Sequence, residues 1–204
     1  MQQAYAGIGS RKTPGEVLEI MRHVAVSMAE QGWVLRSGGA DGADSAFEEG
    51  CRQQGGEMEI FLPWKGFNSN PSPLFDLPAM GEALAVASDI HPAWNRTSQG
   101  AKKLLARNIF QILGKDLESP SSVVIAYTTG GGGTGFALSV ADFFGIPAIN
   151  IHDALKLIAR PFDPKGCARI ICASARAKAQ DNLVRKQSMH GPKEERLLER
   201  TGLR

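Results

Sequence analysis

Short apolar segments alternate with helical patterns along residues 1–154, and this alternation constrains the fold more than any other feature. Five segments have the length and composition of buried strands: YAGIGS (5–10), WVLRS (33–37), MEIFLP (58–63), SSVVIAYT (121–128) and IPAINI (146–151). Strands that are separated by helices predict a parallel sheet with crossover connections. We therefore expect one α/β domain, a three-layer α/β/α sandwich with a mainly parallel sheet.

Helix signals lie between these segments. Thr13 as N-cap, Pro14 at the first helical position and Glu16 form a capping-box pattern ahead of an apolar face. Ala43, Phe47 and Cys51 indicate a helix that ends at Gly55 and Gly56, and further helical patterns cover residues 79–88, 98–113 and 136–145. After Ala154 the pattern weakens: CARIICAS (167–174) is interpreted as one more strand, and the chain beyond Ala175 as a surface helix or a mobile tail.

Charge is divided unevenly along the chain. Residues 1–154 contain 11 Lys and Arg against 16 Asp and Glu, a net charge of −5, whereas residues 155–204 contain 12 against 5, a net charge of +7. We therefore distinguish a domain of residues 1–154 from a basic C-terminal extension of residues 155–204. The overall field of the domain does not attract nucleic acid, but the field of the extension does.

The cysteines indicate an ordinary reducing environment. The three cysteines, Cys51, Cys167 and Cys172, fit neither a disulfide framework nor a zinc site. No cluster of His, Cys, Asp or Glu has metal-ligand spacing, so we expect no metal and no other cofactor. No apolar run reaches about 18 residues and no signal-peptide pattern opens the chain. We expect a cytoplasmic protein without membrane contact.

Glycine-bearing turns follow three of the predicted strands: GIGSRKT (7–13), SGGADGAD (37–44) and TTGGGGTG (128–135). Ligands of open parallel sheets bind beyond the carboxyl ends of the strands, where helix starts offer free N–H groups to anions. None of the turns is a P-loop, and the first lacks the third glycine of the dinucleotide fingerprint. The predicted ligand-binding residues are Gly9, Ser10, Arg11, Ser37, Gly38, Gly39, Ala40, Gly131, Gly132, Gly133 and Thr134.

Asp41 and Asp44 stand beside the second turn, where carboxylates would repel a phosphate. Asp41 as N-cap and Asp44 at the third position would satisfy unpaired N–H groups at the start of a helix. Alternatively, both would accept hydrogen bonds from ribose hydroxyls, as acidic residues do in dinucleotide sites. Both interpretations stay open.

The segment HPAWNRTSQGAKK (91–103) is a second candidate binding region. Trp94 is suited to stack on a base, with Asn95 and Arg96 bonding to the base or a phosphate. The alternative is a packed tryptophan beside a solvated basic face. Arg107, in the following helix, is expected to form a buried Arg–Asp pair or to be exposed to solvent.

GIGSRKTP (7–14) and LRSGGADGADSAFEEG (35–50) together resemble the DprA/Smf family, proteins that handle incoming single-stranded DNA. The segments HPAWNRTSQGAKKLLARNIFQILG (91–114) and GGGGTGFALSVADFFGIP (130–147) resemble the short DprA-like proteins of phages and prophages. This resemblance covers about residues 4–151. It implies a Rossmann-like nucleotide-binding fold, shared with the LOG-type phosphoribohydrolases that release a base from a nucleotide. Relatives commonly pair, and VADFFGIP (140–147) offers an apolar surface for a homodimer or a higher homo-oligomer.

The leading hypothesis is a DprA-like, non-catalytic protein that binds a nucleotide or a nucleotide-derived small molecule at the three glycine-bearing turns. Single-stranded DNA binding would depend on the basic extension. One alternative is a nucleotide hydrolase that breaks an N-glycosidic or phosphoester bond. LOG-type enzymes carry a glutamate after their GG.GT loop, whereas here no acid precedes Asp142, so Asp41 or Asp44 would have to act. The other alternative is sequestration of a nucleotide signal from a host defence system.

Overall fold

The computed structural model describes residues 2–158 and 163–188 of the chain. Within them five strands form one sheet: β1 (Ala4–Gly9), β2 (Val34–Ser37), β3 (Met58–Ile60), β4 (Val123–Tyr127) and β5 (Ala148–Asn150). Every pairing is parallel, and the order is β3-β2-β1-β4-β5. β2 to β5 lie within the segments predicted for them, and β1 begins one residue before its segment, at Ala4. The predicted α/β class with a parallel Rossmann-like sheet is confirmed.

Helices cover both faces of this sheet. The described helices are α1 (Gly15–Glu30), α2 (Ala43–Gln53), α3 (Met80–Ile90), α4 (Gln99–Leu113), α5 (Gly132–Phe143), α6 (Ile151–Leu157) and α7 (Pro164–Ser188). Side chains alternate between the faces along each strand. Tyr5 and Val123 join the apolar core under α1, α2, α6 and α7, whereas Ala6 and Val124 join the core under α3, α4 and α5. The sheet is therefore the middle of three layers.

The strand order places a crevice at the carboxyl ends of two neighbouring strands, β1 and β4. From β1 the chain first proceeds to β2 and β3 on one side and later returns to β4 and β5 on the other. The connections therefore diverge at the adjacent carboxyl ends of β1 and β4. In doubly wound sheets ligands bind at this switch point.

Three helix starts differ from those predicted. The Thr13 hydroxyl donates to the Ser10 carbonyl at 2.7 Å, and α1 begins after Pro14 without a side-chain cap. The residue before α2 is Gly42, so Asp41 is not the N-cap. The last helical pattern, predicted to begin at residue 136, forms α5, which begins at Gly132 and so includes the last glycines of the turn.

The C-terminal extension includes a long helix, and the interpretation of CARIICAS as a strand is wrong. This segment lies in α7, whose buried residues follow helical spacing and pack against α1: Cys167, Ala168, Ile171, Cys172, Ala175 and Ala179. Residues 159–162 and 189–204, to which the mobile-tail interpretation also refers, lie outside the described residues. In the part of the chain that is described, no helix is long and apolar enough to cross a membrane.

Candidate functional site

A cleft of about 940 Å³ opens at the carboxyl ends of β1 and β4. The turn after β1 and the turn after β4 form two of its walls, and side chains of α4 lie between them. Trp64 and Phe67, from the loop after β3, complete the lining. This position is the topological switch point, as the sequence predicts for the ligand rim.

The turn after β1 holds its own backbone tightly and leaves two cations at the cleft mouth. The Ser10 carbonyl accepts hydrogen bonds from the amides of Thr13 at 3.2 Å and Ala43 at 3.3 Å. The Ser10 hydroxyl accepts the Lys12 amide at 3.0 Å. Arg11 and Lys12 line the cleft with exposed side chains. These two residues supply positive charge where a ligand would enter.

The turn after β4 is the most open backbone in the cleft. Gly130, Gly131 and Gly132 have φ of 131°, 63° and 63°, in the region that favours glycine, and all three are exposed. The first amides of α5, from Gly132 onward, have no carbonyl acceptor within the helix. They form the positive end of the helix dipole and open directly into the cleft. This arrangement is suited to bind an anion.

The second turn has a different role from the predicted phosphate contact. The Gly39 amide donates to Glu48 Oε1 at 3.0 Å, and the Ala40 amide donates to Asp44 Oδ2 at 3.4 Å. A Cβ at Gly38 would lie 1.4 Å from Nη1 of Arg107. Carboxylates of the protein therefore accept the hydrogen bonds of these amides. The Arg107 side chain, rather than a ligand, fills the space beside Gly38. Ser37 is fully buried, and only Ala40 of this predicted group lines the cleft.

Asp44 and Arg107 form a buried ion pair at 3.0 Å, and their residues are 3% and 8% exposed. The prediction of a buried Arg–Asp pair for Arg107 is thus confirmed. Burial raises the pKa of Asp44, while the charge of Arg107 and the Ala40 amide oppose that rise. Asp41 is exposed and does not line the cleft. The structure therefore separates two aspartates that the sequence treats as a pair.

Glu48 lies one helical turn after Asp44 and behind the second turn. Besides the Gly39 amide it accepts the Asn70 side-chain amide at 3.4 Å. Burial, and then the neighbouring charge of Asp44, raises the pKa of Glu48 from 4.5 to about 7. Sequence reasoning missed this residue. Its position four residues after Asp44 on one helix face was the available signal.

Trp94, Asn95 and Arg96 form a 3-10 turn that does not line the cleft. Nζ of Lys102 lies 4.8 Å from the centroid of the Trp94 ring, a cation–π contact, and Trp94 packs against the core under α3, α4 and α5. Asn95 and Arg96 are exposed. This placement agrees with the alternative of a packed tryptophan beside a solvated basic face, and ligand contacts of these three residues stay a prediction.

Trp64 and Phe67 supply the aromatic surface that the sequence had placed at Trp94. Their rings meet edge to face with centroids 5.2 Å apart, and Trp64 is 41% exposed. The signal that could have found them is their long loop, since WKGFNSNPSPLFD (64–76) interrupts the alternation of strands and helices. Asn108 and Gln111 of α4 also line the cleft without having been predicted.

The cleft is cationic although the domain around it is acidic. Its described charged lining residues are Arg11, Lys12, Arg107 and Asp44, and the single carboxylate among them is paired with Arg107. Among the residues that the structure describes, no group of three His, Cys, Asp or Glu could hold a metal ion. The described lining therefore offers positive charge to an anion, and its carboxylate is paired.

Comparison with known proteins supports the fold. No protein-family model and no curated protein matches this chain. The chain is similar to DNA processing protein A from Helicobacter pylori, a structure described for its single-stranded DNA binding mode, with TM-score 0.52 and 17% identity over 84% of this chain and 81% of that one. It is also similar to the molybdenum cofactor binding protein from Rippkaea orientalis, with TM-score 0.51 and 17% identity over 85% of this chain and 97% of that one. Likeness at this identity shows a shared Rossmann-like fold.

Proposed function

We propose that this protein binds a nucleotide in the cleft, either free or as a unit of single-stranded nucleic acid, and does not turn it over. The observation that carries this proposal is the open start of α5 at the switch point of the sheet, with Arg11 and Lys12 at the same mouth. The two similar structures are described for binding single-stranded DNA and a molybdenum cofactor. Both descriptions are compatible with a ligand at this position of the fold.

The phosphate would lie against the amides of Gly132, Gly133 and Thr134. Backbone N–H groups and the helix dipole act together there, and Arg11 adds a guanidinium that matches phosphate geometry. The Asn108 side chain donates to the Gly133 carbonyl at 2.9 Å. This bond fixes the orientation of the turn before any ligand arrives, so less ordering is required on binding.

The base would lie toward the aromatic pair. Trp64 presents an exposed ring, and Phe67 holds it from the edge. Aromatic stacking contributes about 1–3 kcal/mol for each base and tolerates every base. A cleft of about 940 Å³ is in the range of small-molecule sites and admits one nucleotide unit with solvent.

Binding without turnover follows from the charges of the lining. Hydrolysis of an N-glycosidic bond would need a carboxylate close to the sugar to assist the reaction. Asp44 is buried and paired with Arg107, and Asp41 lies outside the cleft lining. Neither carboxylate is available in the form that the hydrolase alternative requires.

The part of α7 around Lys178 lies away from the cleft. Lys178 of α7 donates to the Ala148 carbonyl at 2.9 Å, at the amino end of β5. The glycine turns lie at the carboxyl ends of the strands, which is the opposite end of the sheet. We therefore assign the cleft to a single nucleotide unit, and any contact of α7 with a longer strand to a separate surface.

Isothermal titration calorimetry with nucleosides, nucleoside 5′-monophosphates and short oligothymidylates tests the proposal. We expect monophosphates to bind and the corresponding nucleosides to bind at least tenfold more weakly. Gly132→Asp places a carboxylate at the anion site, whereas the matched Gly132→Asn adds the same volume without charge. Both residues tolerate the φ of 63°, and a Cβ there meets nothing within 4 Å.

We expect Gly132→Asp to bind monophosphates at least tenfold more weakly than Gly132→Asn does. Equal affinities of these two variants, or equal affinities of nucleosides and monophosphates, would exclude the start of α5 as the phosphate site. Release of a free base from any nucleotide during a prolonged incubation would contradict binding without turnover.

A further inference from the structure

Two side-chain donors beside the cleft have no hydrogen-bond partner in the described part of the chain: Nε of Arg107 and Nε2 of Gln111. The two residues are 8% and 1% exposed, and both line the cleft. They lie four residues apart on α4, so their side chains leave the same face of the helix. With Asn108 between them they form what we call the polar floor.

Unpartnered buried donors are rare, because each one loses its hydrogen bond to water without a replacement. Two acceptors beside the polar floor already receive hydrogen bonds. Oδ2 of Asp44 accepts from Nη1 of Arg107 and from the Ala40 amide, and the carbonyl of Gly133 accepts from Asn108. Among the described residues Nε of Arg107 and Nε2 of Gln111 stay without an acceptor, and an acceptor on a ligand would satisfy them.

The charge of the polar floor indicates which part of a nucleotide supplies that acceptor. Arg107 is neutralised by Asp44, so the floor carries no net charge and gains little from a phosphate. The unpaired charges, Arg11 and Lys12, lie at the mouth with the start of α5, where the phosphate is proposed to bind. A neutral acceptor remains for the floor, and a keto oxygen has two lone pairs to receive two donors.

Given the proposed nucleotide site, on which this step rests, we infer that the polar floor selects a nucleobase with a keto group. The guanidinium of Arg107 can only donate hydrogen bonds. An exocyclic amino group in the same place would bring donor against donor at Arg107 and leave Nε of Arg107 unpaired. Hypoxanthine and adenine differ in this respect at one position of the same ring, keto in the former and amino in the latter. The floor is expected to accept hypoxanthine and to disfavour adenine.

Calorimetric titration with inosine 5′-monophosphate and adenosine 5′-monophosphate, at equal ionic strength, tests the inference. We expect the inosine nucleotide to bind at least tenfold more tightly, because discrimination by unpaired buried polar groups is strong. Gln111→Met removes one donor at similar volume and should reduce the ratio severalfold, mainly by weakening the inosine nucleotide. Gln53→Met, the same change at an exposed position of α2, should leave the ratio unchanged.

The outcomes separate the inference from the proposed function. If both nucleotides bind with equal affinity, the selection of a keto group is overturned while the nucleotide site stands. If neither nucleotide binds, the proposed function itself fails. A ratio that persists unchanged in a folded Gln111→Met protein overturns the role of Gln111. Should that variant not fold, the ratio measured with the unmodified protein still decides whether a keto group is selected.

Discussion

Replacing Glu48 by Gln should remove a pH-dependent loss of stability. Glu48 is 5% exposed, and burial, followed by the charge of Asp44, raises its pKa from 4.5 to about 7. The glutamine has nearly the same volume and keeps a carbonyl oxygen for the Gly39 amide, which donates to Glu48 at 3.0 Å. The substitution therefore removes the ionisation and preserves the main contact.

The sign of the effect follows from the raised pKa. Because the folded protein holds the proton more tightly than the unfolded chain, the contribution of Glu48 to stability is greatest below pH 4.5. It declines as the pH rises toward 7, and the loss persists above that pH. The interval from 4.5 to about 7, at ~1.4 kcal/mol for each pH unit, amounts to roughly 3 kcal/mol. Most of that loss, about 2–3 kcal/mol, falls between pH 5 and pH 8.

Urea unfolding followed by circular dichroism at pH 5, 6, 7 and 8 measures the effect. The free energy of unfolding of Glu48→Gln, minus that of the unmodified protein, should rise by about 2–3 kcal/mol from pH 5 to pH 8. Glu57→Gln, at an exposed position after α2, is the matched control and should show no comparable rise. Parallel stability profiles of Glu48→Gln and the unmodified protein across this range would refute the reasoning.

Two further predictions concern Arg107. Asp44→Asn leaves the charge of Arg107 buried without a counter-charge and should lower the free energy of unfolding by about 3–5 kcal/mol. The exposed Asp41→Asn should change the free energy of unfolding by less than about 0.5 kcal/mol. Equal losses in urea unfolding would contradict the buried pair. Gly38→Ala brings a Cβ to 1.4 Å from Nη1 of Arg107 and should destabilise by about 1–3 kcal/mol. The control Gly15→Ala meets nothing within 4 Å, and a thermal melt in which both variants match the unmodified protein would contradict the close approach.

The strands could be predicted because each one carries its own signal. The five apolar segments are short and end at turn residues, and the helical patterns between them have a different period. CARIICAS was misinterpreted because eight residues are too few to separate the two periods. Its continuation to Ala175 and Ala179 repeats the spacing of four and marks a helix that packs on α1.

The rim of the site could be predicted, but the contacts within it could not. The position of the glycine turns after β1 and β4 follows from the general rule for parallel sheets. That Gly38 accommodates Arg107 depends on α4, which is distant in sequence and packs beside β2 only in the folded protein. The sequence likewise does not tell whether Trp64 or Trp94 lines the cleft. Only the tertiary structure places the first in the cleft and the second under Lys102.

The most direct test of the central claim is a nuclear magnetic resonance titration of the ¹⁵N-labelled protein with inosine 5′-monophosphate. The account predicts that the largest shifts fall on the amides from Gly132 to Thr134 and on the indole N–H of Trp64. The indole of Trp94 and the amides of α7 around Lys178 should not respond. Shifts confined to α7, or no shifts at saturating nucleotide, would contradict a nucleotide site at the carboxyl ends of β1 and β4.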